Sequence, residues 1–176
     1  MVRTEPASAQ FPYPSQLLNV EGPQLAYIDA GDPAAPPVLM VHGNPTWSFY
    51  FRKLIAALEP THRCVAVAHI GCGRSDKPGD DAYPYTLARR VSDLTKLVDA
   101  LDLRDLTLVV HDWGGMIGFA WAVANRARVK RLVVLNTAAF LNPKGLSLPP
   151  ALWLARNTWV GTLLVRGLNA FARGAV

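Results

Sequence analysis

The chain has 176 residues, is 51% hydrophobic and carries a formal net charge of +5, which is enough apolar material for one domain with a sizeable core. The charge is segregated, because residues 113–176 contain eight Lys or Arg and no acidic residue. Its basic cluster at 126–131 lies at the C-terminal end of a predicted helix, where cations interact favourably with the helix dipole. The cluster also lacks the interleaved aromatic residues that stack on bases. We therefore do not expect nucleic-acid binding. No apolar run reaches the about 18 residues of a membrane span.

Apolar runs and helical periodicity alternate along the chain after an opening arm. Residues 1–16 hold scattered prolines and no apolar stretch, so we expect a flexible arm and no secretion signal. Two cysteines without such a signal indicate reduced thiols and a cytoplasmic location. We predict three helices, at 47–58, 86–102 and 114–126, and six strands, at 17–21, 24–30, 37–42, 63–69, 106–111 and 130–136. This order indicates an α/β fold with a mostly parallel sheet and helices on both faces.

The rhythm changes after the core predicted for residues 17–140. Residues 141–176 contain helical patterns only, at 150–157 and 159–173, and we interpret them as the start of a helical lid. One face of the second helix is apolar, with Leu164, Leu168 and Phe171. Packing of this face on the core is the favoured interpretation, and contact with a membrane surface or an apolar partner is the alternative.

Asp112 stands where an apolar strand pattern stops and a helix starts at once. The strand Leu108–Val110 leads into it, and Gly114 and Gly115 follow it. This arrangement is typical of a nucleophile elbow, in which small residues let the helix pack close to the strand while the nucleophile projects above the sheet. A carboxylate there attacks an electrophilic carbon and forms a covalent ester. The alternative is that Asp112 is only a helix N-cap.

A second strand-to-helix turn, Val41–Trp47, predicts an anion-binding site beside the elbow. Backbone N–H groups and side-chain donors at such a loop hold the charge that develops when the nucleophile attacks. We assign Asn44 and the indole N–H of Trp113 as these donors. Each alone is explained as a turn or packing residue, but together, at the ends of neighbouring strands, they are better explained as a pair.

Three ordered motifs carry a family resemblance: His42–Pro45, Gly71–Pro78 and His111–Gly114. Over residues 17–176 the chain resembles the haloalkane dehalogenase branch of the α/β-hydrolase fold. The resemblance implies Asp112 as nucleophile, Asn44 and Trp113 as the halide or oxyanion site, a hydrophobic small-molecule substrate and no cofactor or metal. Epoxide hydrolases fit less well, because they usually have an aromatic residue in place of Asn44.

Finer sequence features resemble the β-lactone decarboxylases of bacterial long-chain olefin biosynthesis. These features lie at 69–73, 136–140 and 164–174. The resemblance implies that a cis-3,4-dialkyl-oxetan-2-one is converted to an alkene and carbon dioxide, and it allows assembly with other enzymes of an olefin pathway. Haloalkane dehalogenation remains the alternative, since a strained lactone and an alkyl halide both offer an electrophilic carbon to a carboxylate.

The partners of a charge relay are missing from this sequence. The fold places its general base and orienting acid after the nucleophile, but no His, Asp or Glu follows Asp112. We therefore expect the N-terminal part of an enzyme, without the last strands and without turnover of its own, and a catalytically silent binding subunit is a third hypothesis. His62 and His69 are interpreted as loop or surface residues. Ala68 replaces an acid that is usual in relatives, so we expect a less fixed loop at 71–76.

Overall fold

A computed structural model describes residues 10–138 and 150–175 of the chain. The chain forms two compact units, 1–139 and 140–176. The first contains a sheet whose described strands are β1 (Gln16–Asn19), β2 (Gln24–Ala30), β3 (Pro37–Val41), β4 (Arg63–Val67), β5 (Leu106–His111) and β6 (Val129–Leu135). Their order is β1-β2-β4-β3-β5-β6, with β4, β3, β5 and β6 parallel and the first two strands antiparallel. The predicted mostly parallel sheet is confirmed.

Helices cover both faces of this sheet, as predicted. They are α1 (Arg52–Leu58), which follows a 3-10 turn at Ser48–Phe51, α2 (Leu87–Ala100) and α3 (Trp113–Ala124). Alternate residues of β3 enter two different apolar clusters, because side chains alternate across a strand. Leu39 packs in the cluster that includes α2 and α3, while Met40 packs in the one that includes α1. The site described below lies where these parallel strands end.

The predicted N-terminal arm is wrong for the part of it that the structure describes. Phe11, Tyr13 and Ser15 are buried, and the Phe11 ring lies 5.2 Å from the Trp47 ring, centroid to centroid. The Tyr13 hydroxyl also donates to Glu59 at 3.3 Å. Because these aromatic side chains bury apolar area against the sheet, the segment is part of the core. Residues 1–9 lie outside the described residues.

The loop at 71–76 is firmly held, contrary to the expectation drawn from Ala68. The Ser75 hydroxyl donates to the carbonyl of Ala68 at 2.6 Å and accepts from the backbone N–H of Ala26 at 2.7 Å. Asp76 accepts from the backbone N–H of Gln24 at 2.8 Å. A buried hydroxyl therefore ties the loop to β2, and no acid is required at position 68.

The second unit consists of short helices. These are α4 (Pro150–Asn157), α5 (Trp159–Thr162), a π-helical turn (Leu163–Gly167) and α6 (Ala170–Ala175). The single helix predicted over 159–173 is wrong, because the chain breaks at Asn169, whose φ is +52°. Large apolar side chains are exposed here, including Trp159 and Leu168. Residues 139–149 and the side chain of Phe171 lie outside the described part. None of the described helices combines the length and apolar character needed to cross a bilayer.

Candidate active site

Asp112 occupies a sharp turn between β5 and α3. Its φ of +52° and ψ of −131° are uncommon for a residue other than glycine. The turn is tied down at the Asp112 carbonyl, which accepts from the Gly115 N–H at 2.9 Å and from the Thr137 hydroxyl at 2.5 Å. Strain of this kind persists only where the surroundings over-determine it, and it clusters at functional sites.

The Asp112 side chain does not cap the helix that follows it. One carboxylate oxygen, Oδ1, instead accepts a hydrogen bond of 2.8 Å from the backbone N–H of Asn44, at the end of β3. The carboxyl group therefore belongs to the interface between two strand ends. This geometry contradicts the N-cap alternative, and the sharp strand-to-helix turn agrees with an elbow.

Glycines allow the elbow and the β3 loop to come close together. A Cβ on Gly114 would lie 2.1 Å from the carbonyl oxygen of Val41, and one on Gly115 would lie 1.9 Å from the Thr137 hydroxyl. Both of these glycines were predicted from the sequence to allow the close approach. Gly43 was not predicted, and a Cβ there would lie 2.0 Å from Oδ1 of Asp112 itself. All three positions thus require the absence of a side chain.

Asn44 and Trp113 both line a cavity of about 300 Å³ beside the elbow. The cavity is formed by the loops after β3 and β4 and by the starts of α2 and α3, through His42, Gly43, Asn44, His69, Tyr85, Thr86, Leu87, Arg90, Trp113 and Ile117. The Trp113 ring is half exposed. Asp112 lines a neighbouring open hollow that shares Trp113 with the cavity. The structure thus places Asn44 and Trp113 on one wall, and their donation to an anion remains a prediction.

His42 is buried and joins the loops after β3 and β4. Its Nε2 accepts from the backbone N–H of His69 at 3.0 Å, so the proton lies on Nδ1, which donates to the Gly43 carbonyl at 2.7 Å. Burial lowers the pKa of His42 to about 4, so the ring is neutral near pH 7. Since both nitrogens are engaged, His42 has a structural role.

His69 lies in the loop after β4, as one of the two interpretations has it, but its assignment to the surface is wrong. Its side chain is 4% exposed, and its ring lies 4.5 Å from that of His42, centroid to centroid. Burial lowers the pKa of His69 well below its ordinary value. Its Nε2 has no hydrogen-bond partner among the described residues, and the residue lines the cavity.

Arg90 is the cation of this cavity wall, and sequence analysis missed it. It lies four residues after Thr86, the cap of α2, so the two share one helix face. Its Nη1 donates to the Ile70 carbonyl at 3.2 Å, and its guanidinium carbon lies 5.8 Å from the centroid of the Tyr85 ring. No carboxylate of the described residues forms an ion pair with it. The signal available in the sequence was this i, i+4 spacing from the cap.

The sequence contains no motif with the spacing of metal ligands. Within the ranges 10–138 and 150–175, no three His, Cys, Asp or Glu side chains are grouped to hold a metal ion.

Residues 36–168 match the family model of the alpha/beta hydrolase fold, and the chain belongs to that family. It is 54% identical to the cis-3-alkyl-4-alkyloxetan-2-one decarboxylase of Shewanella oneidensis, over 92% of this chain and 50% of that protein. The decarboxylase of the same name from Xanthomonas campestris pv. campestris is 44% identical, over 92% of this chain and 56% of that protein. The chain thus spans about half the length of the curated relatives it matches.

A solved structure supports the same branch. The haloalkane dehalogenase DpaA from Paraglaciecola agarilytica NO2 superposes with a TM-score of 0.78 at 34% identity, covering 99% of this chain and 61% of that one. The resemblance drawn from the three motifs is confirmed.

Proposed function

We propose that the chain carries the nucleophile of a β-lactone decarboxylase, with Asp112 attacking a cis-3,4-dialkyl-oxetan-2-one. The observation that carries the proposal is the Asp112 side chain, which leaves its helix uncapped and meets the Asn44 N–H at 2.8 Å. The two decarboxylase relatives support the substrate class.

The reaction proceeds at the alkyl-substituted ring carbon that is bonded to the ring oxygen. A carboxylate oxygen of Asp112 forms a bond to this carbon, and the carbon–oxygen bond of the ring breaks, with its electron pair remaining on the freed carboxylate. The bond from the neighbouring carbon to that carboxylate then breaks, and its electrons form the alkene as the Asp112 carboxylate leaves. Carbon dioxide is released. The sum is lactone to alkene plus carbon dioxide, without water or a proton.

Attack at the carbonyl carbon fits less well. It would give a mixed anhydride and an alkoxide, which must react further before carbon dioxide can leave. Attack at the alkyl carbon also creates an anion next to the elbow, where Asn44 and Trp113 line the cavity. Preorganised donors at such a position lower the barrier to charge development.

Haloalkane dehalogenation is the second candidate, favoured by the 0.78 TM-score to a dehalogenase. In that reaction water must clear the Asp112 ester, which needs a general base. His42 cannot serve, because it is buried and neutral with both nitrogens engaged. We therefore expect this 176-residue chain to capture an alkyl halide without turning over. Capture of neither class of substrate would favour the silent binding subunit.

Covalent labelling tests the proposal. The chain is incubated with a long-chain cis-β-lactone or with 1-iodohexane, adducts are mapped by peptide mass, and alkene is sought by gas chromatography. We expect an adduct on Asp112 with the iodide and alkene from the lactone. Asp112→Asn should abolish both, because a neutral amide is a poor nucleophile, whereas Asp81→Asn, at an exposed position, should label like the parent. An adduct on another residue, with Asp112 unmodified, would contradict the assignment.

A further inference from the structure

Two polar groups of the cavity wall have no part in the chemistry described so far. His69 presents a buried Nε2 without a hydrogen-bond partner, although polar atoms in protein interiors are nearly always paired. Arg90 brings a positive charge to the same wall without a carboxylate partner among the described residues. A buried donor or acceptor left unpaired costs free energy, so a ligand in the cavity that reached Nε2 would offset that cost.

The surroundings of these two groups favour an anion. Thr86 and Leu87, at the start of the 14-residue helix α2, line the cavity, so the positive end of the helix dipole lies there. Asn44 and Trp113 add an amide and an indole. No acidic side chain is among the residues that line this cavity. The wall therefore combines one cation, neutral donors and a helix start.

We propose that His69 and Arg90 form a carboxylate-binding subsite, which rests on the proposed function and holds the carboxylate freed from the lactone ring. A halide is a single atom and can be held by one pair of donors. A carboxylate has two oxygens, and a guanidinium matches that shape with paired N–H groups. The subsite therefore makes the cavity selective for a lactone over a haloalkane, because only ring opening produces a second oxygen to bind.

Direct binding of a carboxylate tests the subsite without any reaction. Sodium octanoate is titrated into the chain by calorimetry, with 1-octanol as the neutral probe of equal length. We expect octanoate to bind more tightly than octanol, and Arg90→Gln and His69→Leu each to weaken octanoate roughly tenfold or more, the scale of a hydrogen bond to a charged group. Arg90→Lys should retain most of the affinity. Arg104→Gln, which removes the same charge from a side chain that is 71% exposed, should leave it unchanged.

Labelling rates separate a role in recognition from a role in folding. Arg90→Gln should slow alkene formation from the lactone more than it slows alkylation of Asp112 by 1-iodohexane, whereas Arg104→Gln should leave both rates within about threefold of the parent, a difference under 1 kcal/mol in barrier. Equal octanoate affinity in the parent and Arg90→Gln, or equal loss in Arg104→Gln, would overturn the subsite. If His69→Leu does not fold, Arg90→Gln and Arg90→Lys decide the question.

Failure of the subsite is distinguishable from failure of the proposed function. Octanoate binding does not require Asp112 to act as a nucleophile, so Asp112→Asn should still bind it. Binding that depends on Arg90, together with no labelling of Asp112, would overturn the proposed function alone. Labelling of Asp112 without any octanoate binding would overturn the subsite alone.

Discussion

Gly43→Ala should displace the Asp112 carboxylate and so disable it, although Asp112 itself is unchanged in this variant. The new Cβ would lie 2.0 Å from Oδ1 of Asp112 and 2.5 Å from its Cβ, whereas real Cβ atoms keep at least 3.0 Å from their neighbours. The carboxylate must therefore withdraw by about 1 Å, the difference between these distances, and such a misplacement can cost about a hundredfold in rate. The same movement breaks the 2.8 Å hydrogen bond from the Asn44 N–H.

The assay is the rate of Asp112 alkylation by 1-iodohexane, followed by peptide mass. We expect Gly43→Ala to react roughly a hundredfold more slowly than the parent. Gly167→Ala is the matched control, because its Cβ would meet only the end of the Leu163 side chain, at an ordinary 3.4 Å. Alkylation of Gly43→Ala within about threefold of the parent rate would refute the claim that the β3 loop fixes the nucleophile.

Three further predictions follow from the site and the sheet. Asn44→Ala or Trp113→Phe should slow alkylation of Asp112 about a hundredfold, the usual effect of losing one anion donor, and a rate near the parent's would place the anion site elsewhere. The pKa of His42 falls from 6.5 to about 4 on folding, so the unfolded chain gains a proton first and urea titration should show about 3 kcal/mol less stability at pH 4 than at pH 7; a flat profile would contradict this. Val134, 52% exposed on β6, lies at the edge of the described sheet, where we expect self-association. Val134→Lys should therefore raise the monomer fraction in sedimentation, and an unchanged fraction would contradict a role of this edge.

The sequence predicted the sheet and the elbow because both depend on local patterns. The strand before Asp112 is continuous and apolar, as buried parallel strands are, and the following glycines mark a close approach of backbone. β6 has the same apolar pattern, yet its side chains are largely exposed at the sheet edge. An apolar strand pattern shows which side chains a segment is able to bury. Whether they are buried depends on the elements that pack against the strand.

The residues that sequence analysis misread depend on distant contacts. Phe11 and Tyr13 stand among prolines in a segment without periodicity, and they are buried only because the sheet and α1 offer an apolar surface. His69 follows a strand end, where loop residues are usual, and it is buried by its contact with His42, which is 27 positions away. No local pattern encodes either contact.

The hydrogen bond between His42 and His69 fixes the loop after β3 relative to the loop after β4. The Asp112 carboxylate accepts from the N–H of Asn44, the carbonyl of Gly43 accepts from His42, and Nε2 of His42 accepts from the backbone N–H of His69. The Asp112 carboxylate and the His69 imidazole are thus connected through one short stretch of main chain at positions 43–44 and the neutral ring of His42. A change at position 42 would therefore alter the separation between the Asp112 carboxylate and the His69 imidazole.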